Sequence, residues 1–160
     1  MKAMHRLGWL VVCLAVVLTI GVPAFAQEQA VKEECVAKVK QAVEMAQKVG
    51  MEKAIQTLNN PDSPYIWKDS YVFCLDLEKR LVSAHPVNPA LVGKDWAMSA
   101  KDANGKMFFA EFIRVAMDPG EGWVEYVWPK PGETTPEKKA TYVLKVPGQH
   151  YCMGAGAYTE

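Results

Sequence analysis

The stretch YVFCLDLEKRLVSAH, from Tyr71 to His85, decides the fold class of this chain. Its first part, Tyr71 to Leu75, is a nearly unbroken apolar run, which is typical of a strand that is covered on both faces. Asp76 to Lys79 then predict a turn, and Arg80 to His85 predict a second strand. We therefore predict that the two strands form a hairpin within an antiparallel sheet.

Two helices are predicted before this hairpin. Between about Gln29 and Val49, small and apolar side chains recur at steps of three and four, and most lysines fall elsewhere; the recurring residues are Cys35, Val39, Ala42, Ala46 and Val49. This spacing predicts an amphipathic helix of about five or six turns. Gly50 interrupts the helix, and Met51 to Leu58 predict a short second one.

The chain after the hairpin predicts one more helix and three more strands. Phe108, Phe112 and Val115 have helical spacing within the segment from Met107 to Met117. The strands are predicted by aromatic and β-branched runs between turn residues, at Gly122 to Trp128, Lys139 to Val146 and His150 to Tyr158. A helical start followed by about five antiparallel strands and one helical insertion is an α+β pattern.

The first 26 residues have the pattern of a signal peptide. A short basic start is followed by an apolar run from Leu7 to Val22 and by a small-residue cleavage site, Ala24 to Ala26. A membrane anchor is the competing interpretation, but the run is shorter than the roughly 20 residues that span a bilayer. We predict cleavage after residue 26, one domain over residues 27–160, and a periplasmic or secreted location.

Charge and cysteine content exclude several classes of function. Lys2 and Arg6 leave with the signal peptide, so the remaining chain has 16 basic and 18 acidic residues. It has no basic stripe, and we therefore expect no nucleic-acid partner. Cys35, Cys74 and Cys152 have no metal-binding spacing. We therefore predict buried cysteines with at most one disulfide, and neither metal nor cofactor.

Several spaced motifs resemble the single Cache domain, an extracytoplasmic ligand-sensing module of bacterial chemoreceptors and sensor kinases. They are DSPYIWKDSYVFCLDLEKRLVSAHPVNPALVGKDW from Asp62, KDANGKMFFAEFI from Lys101, GEGWVEYVWPKPG from Gly120 and KKATYVLKVPGQHYCMGAGAY from Lys138. The resemblance implies a PAS-like α+β fold, with a long N-terminal helix packed on one face of a five-stranded antiparallel sheet. It also implies that Cys74 and Cys152 lie on neighbouring strands.

The resemblance further implies a small-molecule pocket on the other face of the sheet, which in relatives takes small carboxylates. We expect a soluble ligand-binding component of signal transduction, since the given sequence ends at Thr159 and Glu160 without a second membrane helix. It would then act with a membrane-bound histidine kinase or chemoreceptor. A homodimer through the N-terminal helix is a further expectation.

Six residues are candidates for the pocket. An anion in an apolar cavity needs convergent donors, and an aromatic wall supplies the remaining surface; the candidates are Tyr71, His85, Tyr126, Trp128, Lys139 and Tyr142. Lys139 and Tyr142 have opposite parity along their strand, so a bulge is needed for both to face one ligand. Lys138 is the alternative inward lysine, and the aromatic residues are alternatively plain core.

An enzyme and a structural module are the two classes of function that compete with a sensor. The sequence lacks the nucleophile-elbow, zinc-protease and phosphate-loop motifs, so we predict that the protein is not an enzyme. A structural or protein-interaction module of the cell envelope, which has lost ligand binding, is the alternative to a sensor.

Overall fold

The computed structural model describes residues 28–159, apart from the side chains of residues 96 and 97. The predicted signal peptide therefore lies outside the described residues. Within the described part, helix α1 spans Lys32–Val49 and helix α2 spans Met51–Asn59. Helix α1 begins three residues later than the spacing predicted, because Val31 is extended and the Ala30 N–H donates to the Asp69 carboxylate at 2.7 Å.

In the described residues after α2, seven strands and a third helix follow. Strands β1 (Ile66–Trp67) and β2 (Ser70–Tyr71) form a small hairpin, and β3 (Phe73–Asp76) pairs with β4 (Leu81–Ala84). After a connection with two short 3-10 turns come α3 (Phe108–Met117), β5 (Glu121–Pro129), β6 (Pro136–Lys145) and β7 (Tyr151–Tyr158). The larger sheet has the antiparallel order β4-β3-β7-β6-β5, which confirms the predicted fold class.

The predicted strand from Tyr71 to Leu75 is divided in two. Val72 N–H donates to the Tyr65 carbonyl at 2.9 Å instead of joining the large sheet. Tyr71 consequently belongs to the small hairpin and the large sheet starts at Phe73. This break lets the small hairpin carry Tyr71 above the sheet rather than within it.

Two hydrophobic layers cover the large sheet. Helices α1 and α2 cover one face, hereafter the α1 face, where Val39, Ala42 and Leu58 pack against β3, β6 and β7. Helix α3 and the connection before it cover the other, hereafter the α3 face, with Phe108 and Phe112 against β5 and β6. Among residues 28–159, no helix is both long and apolar enough to span a bilayer.

The cysteines are buried, as expected. Cys35, Cys74 and Cys152 are all free thiols. Cys152 pairs with Leu75 across β7 and β3, and Cys74 pairs with Met153, which confirms the predicted neighbouring strands. Leu75 pairs directly with Cys152, and Cys74 is the residue before Leu75 on β3. Because successive side chains of a strand point to opposite faces, the two cysteines belong to the layers on opposite faces of the sheet.

Candidate functional site

Lys139 is the central residue of the candidate site. It lies on β6 opposite Tyr126 of β5 and Tyr158 of β7, and only 2% of its surface is exposed. Its Nζ lies 4.6 Å from the centre of the Tyr71 ring and 4.5 Å from that of Tyr158. It also donates to the Tyr158 hydroxyl over 3.3 Å. The ammonium group is thus held between two aromatic rings.

The surroundings of Lys139 disfavour its charge. Burial lowers the pKa of the ammonium from its ordinary 10.5 to about 7, although the negative charge of Asp69 acts in the opposite direction. No carboxylate of residues 28–159 lies within 4 Å of this Nζ. A buried cation without an adjacent counter-ion attracts an anion, since an anion would restore the electrostatic stabilisation lost on leaving water.

His85 lies directly after β4 and is held in one tautomer. Its backbone N–H donates to the Asn59 side chain, and its Nδ1 accepts from the Asn88 N–H at 3.1 Å. Burial, together with the charge of Lys139, lowers the pKa of His85 to about 3. The ring is therefore neutral, and Nε2 is the nitrogen that carries hydrogen. The imidazole ring of His85 lies 4.9 Å from the Tyr71 ring, centre to centre.

Aromatic side chains form the wall beside these polar groups. Phe108 of α3 stacks on Tyr126 at 4.7 Å and contacts Trp128 at 5.1 Å. The Tyr126 hydroxyl shares a hydrogen bond with Thr141 at 3.1 Å, and the Trp128 ring lies 6.4 Å from the Tyr126 ring, centre to centre. Burial raises the pKa of Tyr71 and Tyr126, so both hydroxyls keep their protons at neutral pH. The wall supplies neutral donors next to apolar surface.

Five of the six predicted residues come together, and Tyr142 does not. Strand β6 keeps regular register from Pro136 to Lys145 without a bulge, so Tyr142 lies on the α1 face. There its hydroxyl donates to the Glu121 carboxylate. Lys138 is exposed whereas Lys139 is buried, which decides between the two lysines. The site face thus holds Tyr71, His85, Tyr126, Trp128 and Lys139.

Three residues of the cluster were missed by the sequence analysis. They are Tyr158, whose ring packs on Lys139; Thr141, which bonds Tyr126; and Asp69, a buried carboxylate near the ammonium. The signal for Tyr158 was present, because a hairpin turn at the predicted PGQ segment brings it close to Lys139 in register. Asp69 had no such signal, since the small hairpin that carries it was not predicted.

The cluster is closed over in this structure. Tyr71, His85 and Lys139 are each 3% exposed or less. Tyr126 and Lys139 border a surface groove of about 570 Å³ that also contacts Lys32 and Lys106, and Trp128 borders another of about 140 Å³. Entry of a ligand to the ammonium therefore requires displacement of a side chain, and the rings of Tyr71 and Tyr158 are the ones that cover it. Among residues 28–159, no group of histidines, cysteines and carboxylates is arranged to hold a metal.

Comparison with known families gives this geometry a context. The Cache domain family matches residues 26–160. The chain belongs to this family. Among relatives, the methyl-accepting chemotaxis protein McpP of Pseudomonas putida is 32% identical over 92 residues, which are 58% of this chain and 16% of the relative. The sensor histidine kinase MctS of Rhizobium johnstonii is 29% identical over 93 residues, 58% of this chain and 20% of the relative.

Solved structures resemble the whole domain. A Cache chemosensory domain described for its carboxylic acid recognition is 28% identical, with a TM-score of 0.66 over 80% of this chain and 92% of its own. The periplasmic sensor domain of a chemotaxis protein is 30% identical, with a TM-score of 0.63 over 80% and 90%. A methyl-accepting chemotaxis protein from Vibrio parahaemolyticus shares the fold at 22% identity, with a TM-score of 0.67 over 79% and 87%.

These comparisons identify a single Cache domain of the kind that serves sensing in chemoreceptors and histidine kinases. The chain spans only about a fifth or less of the two curated relatives, so their complete activities are not those of this domain alone. The two solved structures at 28% and 30% identity are a chemosensory domain and a periplasmic sensor domain.

Proposed function

We propose that this domain binds a small carboxylate on the α3 face, with Lys139 as the charged partner of the ligand. The observation that carries the proposal is the buried Lys139 ammonium, which lies between two tyrosine rings without a carboxylate within 4 Å in the described part of the chain. A charge-assisted hydrogen bond from this group offsets the hydration that an entering carboxylate loses.

The other side chains favour a ligand with one negative charge. His85 is neutral, so Lys139 is the cation among the five assembled candidates. Hydroxyls of Tyr71 and Tyr126 and the N–H of His85 supply neutral donors. Phe108 and Trp128 offer apolar surface, which suits a short carbon chain. A second carboxylate would need a second donor group of comparable strength.

In the cell, the domain would act as an extracytoplasmic sensing component. The relatives that support this are a chemoreceptor, a sensor kinase and a periplasmic sensor domain. A chemoreceptor or histidine kinase is accordingly the proposed partner, and export through the signal peptide of residues 1–26 is the proposed route. Dimerisation through α1 stays a prediction, tested by sedimentation of the purified domain with and without ligand.

A thermal-shift screen tests the proposal directly. Purified domain is melted with a panel of mono-, di- and tricarboxylates, amino acids and uncharged analogues such as amides. A specific ligand at a hundred times its Kd should stabilise the protein by about 2.7 kcal/mol. Lys139→Met is the matched control and should lose the response. If no carboxylate stabilises the wild-type domain, the proposal fails and a structural or protein-interaction module becomes the better description.

A further inference from the structure

Two glycines of β7 remove side chains from the α3 face beside the site. The strand reads YCMGAGAY from Tyr151 to Tyr158, and Gly154 and Gly156 alternate with Ala155 and Ala157, whose side chains pack in the α1 layer. The two glycines therefore face the same layer as Cys152. Each leaves a space that a side chain of another strand occupies.

Gly156 is in close contact with two side chains of the site. A Cβ at this position would lie 2.2 Å from Thr141 Oγ1 and 2.7 Å from Lys139 Cε, and 3.0 Å from the Ala140 carbonyl oxygen. Gly156 pairs with Thr141 across β6 and β7, so these neighbours approach it from the adjacent strand. The stem of Lys139 thus passes too close to Gly156 for any residue with a Cβ to fit there without a shift.

We infer that Gly156 is a positioning residue, which sets the place of the Lys139 ammonium between the rings of Tyr71 and Tyr158. The inference rests on the proposed function, because it concerns the same site. Lys139 Cε is near the end of a flexible chain, so its overlap with an added methyl group is relieved by moving the end of the side chain, and with it the ammonium. Thr141 Oγ1 can turn away only by leaving the Tyr126 hydroxyl.

Gly154 provides a matched comparison two residues earlier. A Cβ there would lie 2.6 Å from Phe73 Cζ, a core ring, and neither Lys139 nor Thr141 is among its three nearest neighbours. Gly154→Ala and Gly156→Ala therefore add the same methyl group to the same strand and face. The first disturbs core packing, whereas the second disturbs the position of the charged group.

The test measures the titration of Lys139 itself, followed by its 13Cε NMR resonance and assigned with Lys139→Met. In the wild type the midpoint should lie near pH 7, as burial dictates. In Gly156→Ala the displaced ammonium regains water, so the midpoint should rise by about one pH unit or more. Gly154→Ala should leave it unchanged. An unchanged midpoint in folded Gly156→Ala would overturn the inference.

Acetate affinity, measured by calorimetry, is the second readout. Gly156→Ala should bind acetate roughly tenfold more weakly, and Gly154→Ala should stay within about twofold of the wild type. If Gly156→Ala does not fold, the double variant with Thr141→Ala removes the shortest contact and keeps the contact with Lys139, so the same shift is expected. If the wild type does not bind acetate, the proposed ligand class is in doubt, while the NMR midpoint still decides the role of Gly156.

Discussion

The α1 face and the α3 face of the sheet bury different chemistry on opposite sides of the same strands. On the α1 face, α1 and α2 contribute small aliphatic and sulfur side chains such as Cys35, Val39 and Leu58. On the α3 face, the aromatic layer around Phe108 is continuous with the buried Lys139 and His85. One strand, β6, serves both, because Tyr142 and Lys139 lie on opposite sides of it.

The difference indicates that the α1 face stabilises the fold and that the α3 face carries the binding function. Burial of aliphatic groups stabilises a fold by about 25 cal/mol per Å² of apolar surface, and the α1 face follows that rule. Burial of an ammonium group without a counter-ion opposes folding, as the lowered pKa of Lys139 indicates. A residue that disfavours the empty folded state is best explained by what it binds. The following variants test whether the two faces separate in this way.

The largest expected effect is on stability and belongs to the α1 face. Leu58 is fully buried between α2 and the sheet. Leu58→Ala removes the three outer carbon atoms of a buried side chain and leaves a cavity, so the free energy of unfolding should fall by about 2–5 kcal/mol in urea titrations. Ligand affinity, measured where the variant is still folded, should not change. A matching loss of affinity would mean that the faces are not separate.

Lys139→Met should lower ligand affinity without lowering stability, the reverse of Leu58→Ala. It removes the charge-assisted hydrogen bond to the ligand, worth about 1.5–3 kcal/mol, so affinity should fall roughly 10- to 150-fold in calorimetry. The melting temperature of the empty domain should stay the same or rise, since an apolar stem replaces a buried amine. Loss of stability together with intact binding would argue that Lys139 is a structural residue.

Tyr126 and Tyr142 lie on opposite faces of the sheet, and their variants should differ in ligand affinity by a smaller amount. Tyr126→Phe removes a neutral donor from the site, and a hydrogen bond of about 0.5–1.5 kcal/mol corresponds to a roughly 2- to 10-fold loss of affinity. Tyr142→Phe removes only the contact with Glu121 on the other face and should leave affinity unchanged. Equal effects of the two variants on binding would show that the assignment of faces does not predict function.

The empty domain should become more stable as pH rises from about 7. Because the pKa of Lys139 is about 7 in the folded protein and 10.5 ordinarily, the unfolded chain holds more protons between these values. The free energy of unfolding should therefore rise between pH 7 and pH 10.5 and fall as pH is lowered toward 7. Over the first pH unit above 7 the gain should be about 1 kcal/mol or less. The slope is measured as the difference between wild type and Lys139→Met in urea titrations.

Periodicity predicted most of this fold, because the helices and long strands are regular enough to record their faces in sequence. It predicted correctly that Lys139 and Tyr142 have opposite parity along their strand. It could not predict the break at Val72, which depends on a hydrogen bond to the distant Tyr65 carbonyl. That break creates the small hairpin, so the roles of Asp69 and of Tyr71 above Lys139 could not be derived from the pattern alone.

His85 illustrates the other limit. Its place at the end of β4 was predicted, but its charge depends on burial and on a neighbour from another strand. A protonated His85 would make affinity fall as pH rises past about 6.5, whereas a neutral donor gives no such slope. With its pKa lowered to about 3, His85 is neutral, and any slope near neutrality belongs to Lys139.

Proton uptake on binding tests most directly whether Lys139 is the charge partner of a carboxylate. At about pH 8 most Lys139 side chains in the empty protein are neutral, and a bound anion favours the ammonium form. The heat of binding is measured in two buffers with different heats of ionisation. In the wild type and in Tyr142→Phe, the difference between the two heats should correspond to uptake of a large fraction of one proton per ligand. Tight binding with the same heat in both buffers would contradict the account, because it would place the carboxylate away from Lys139.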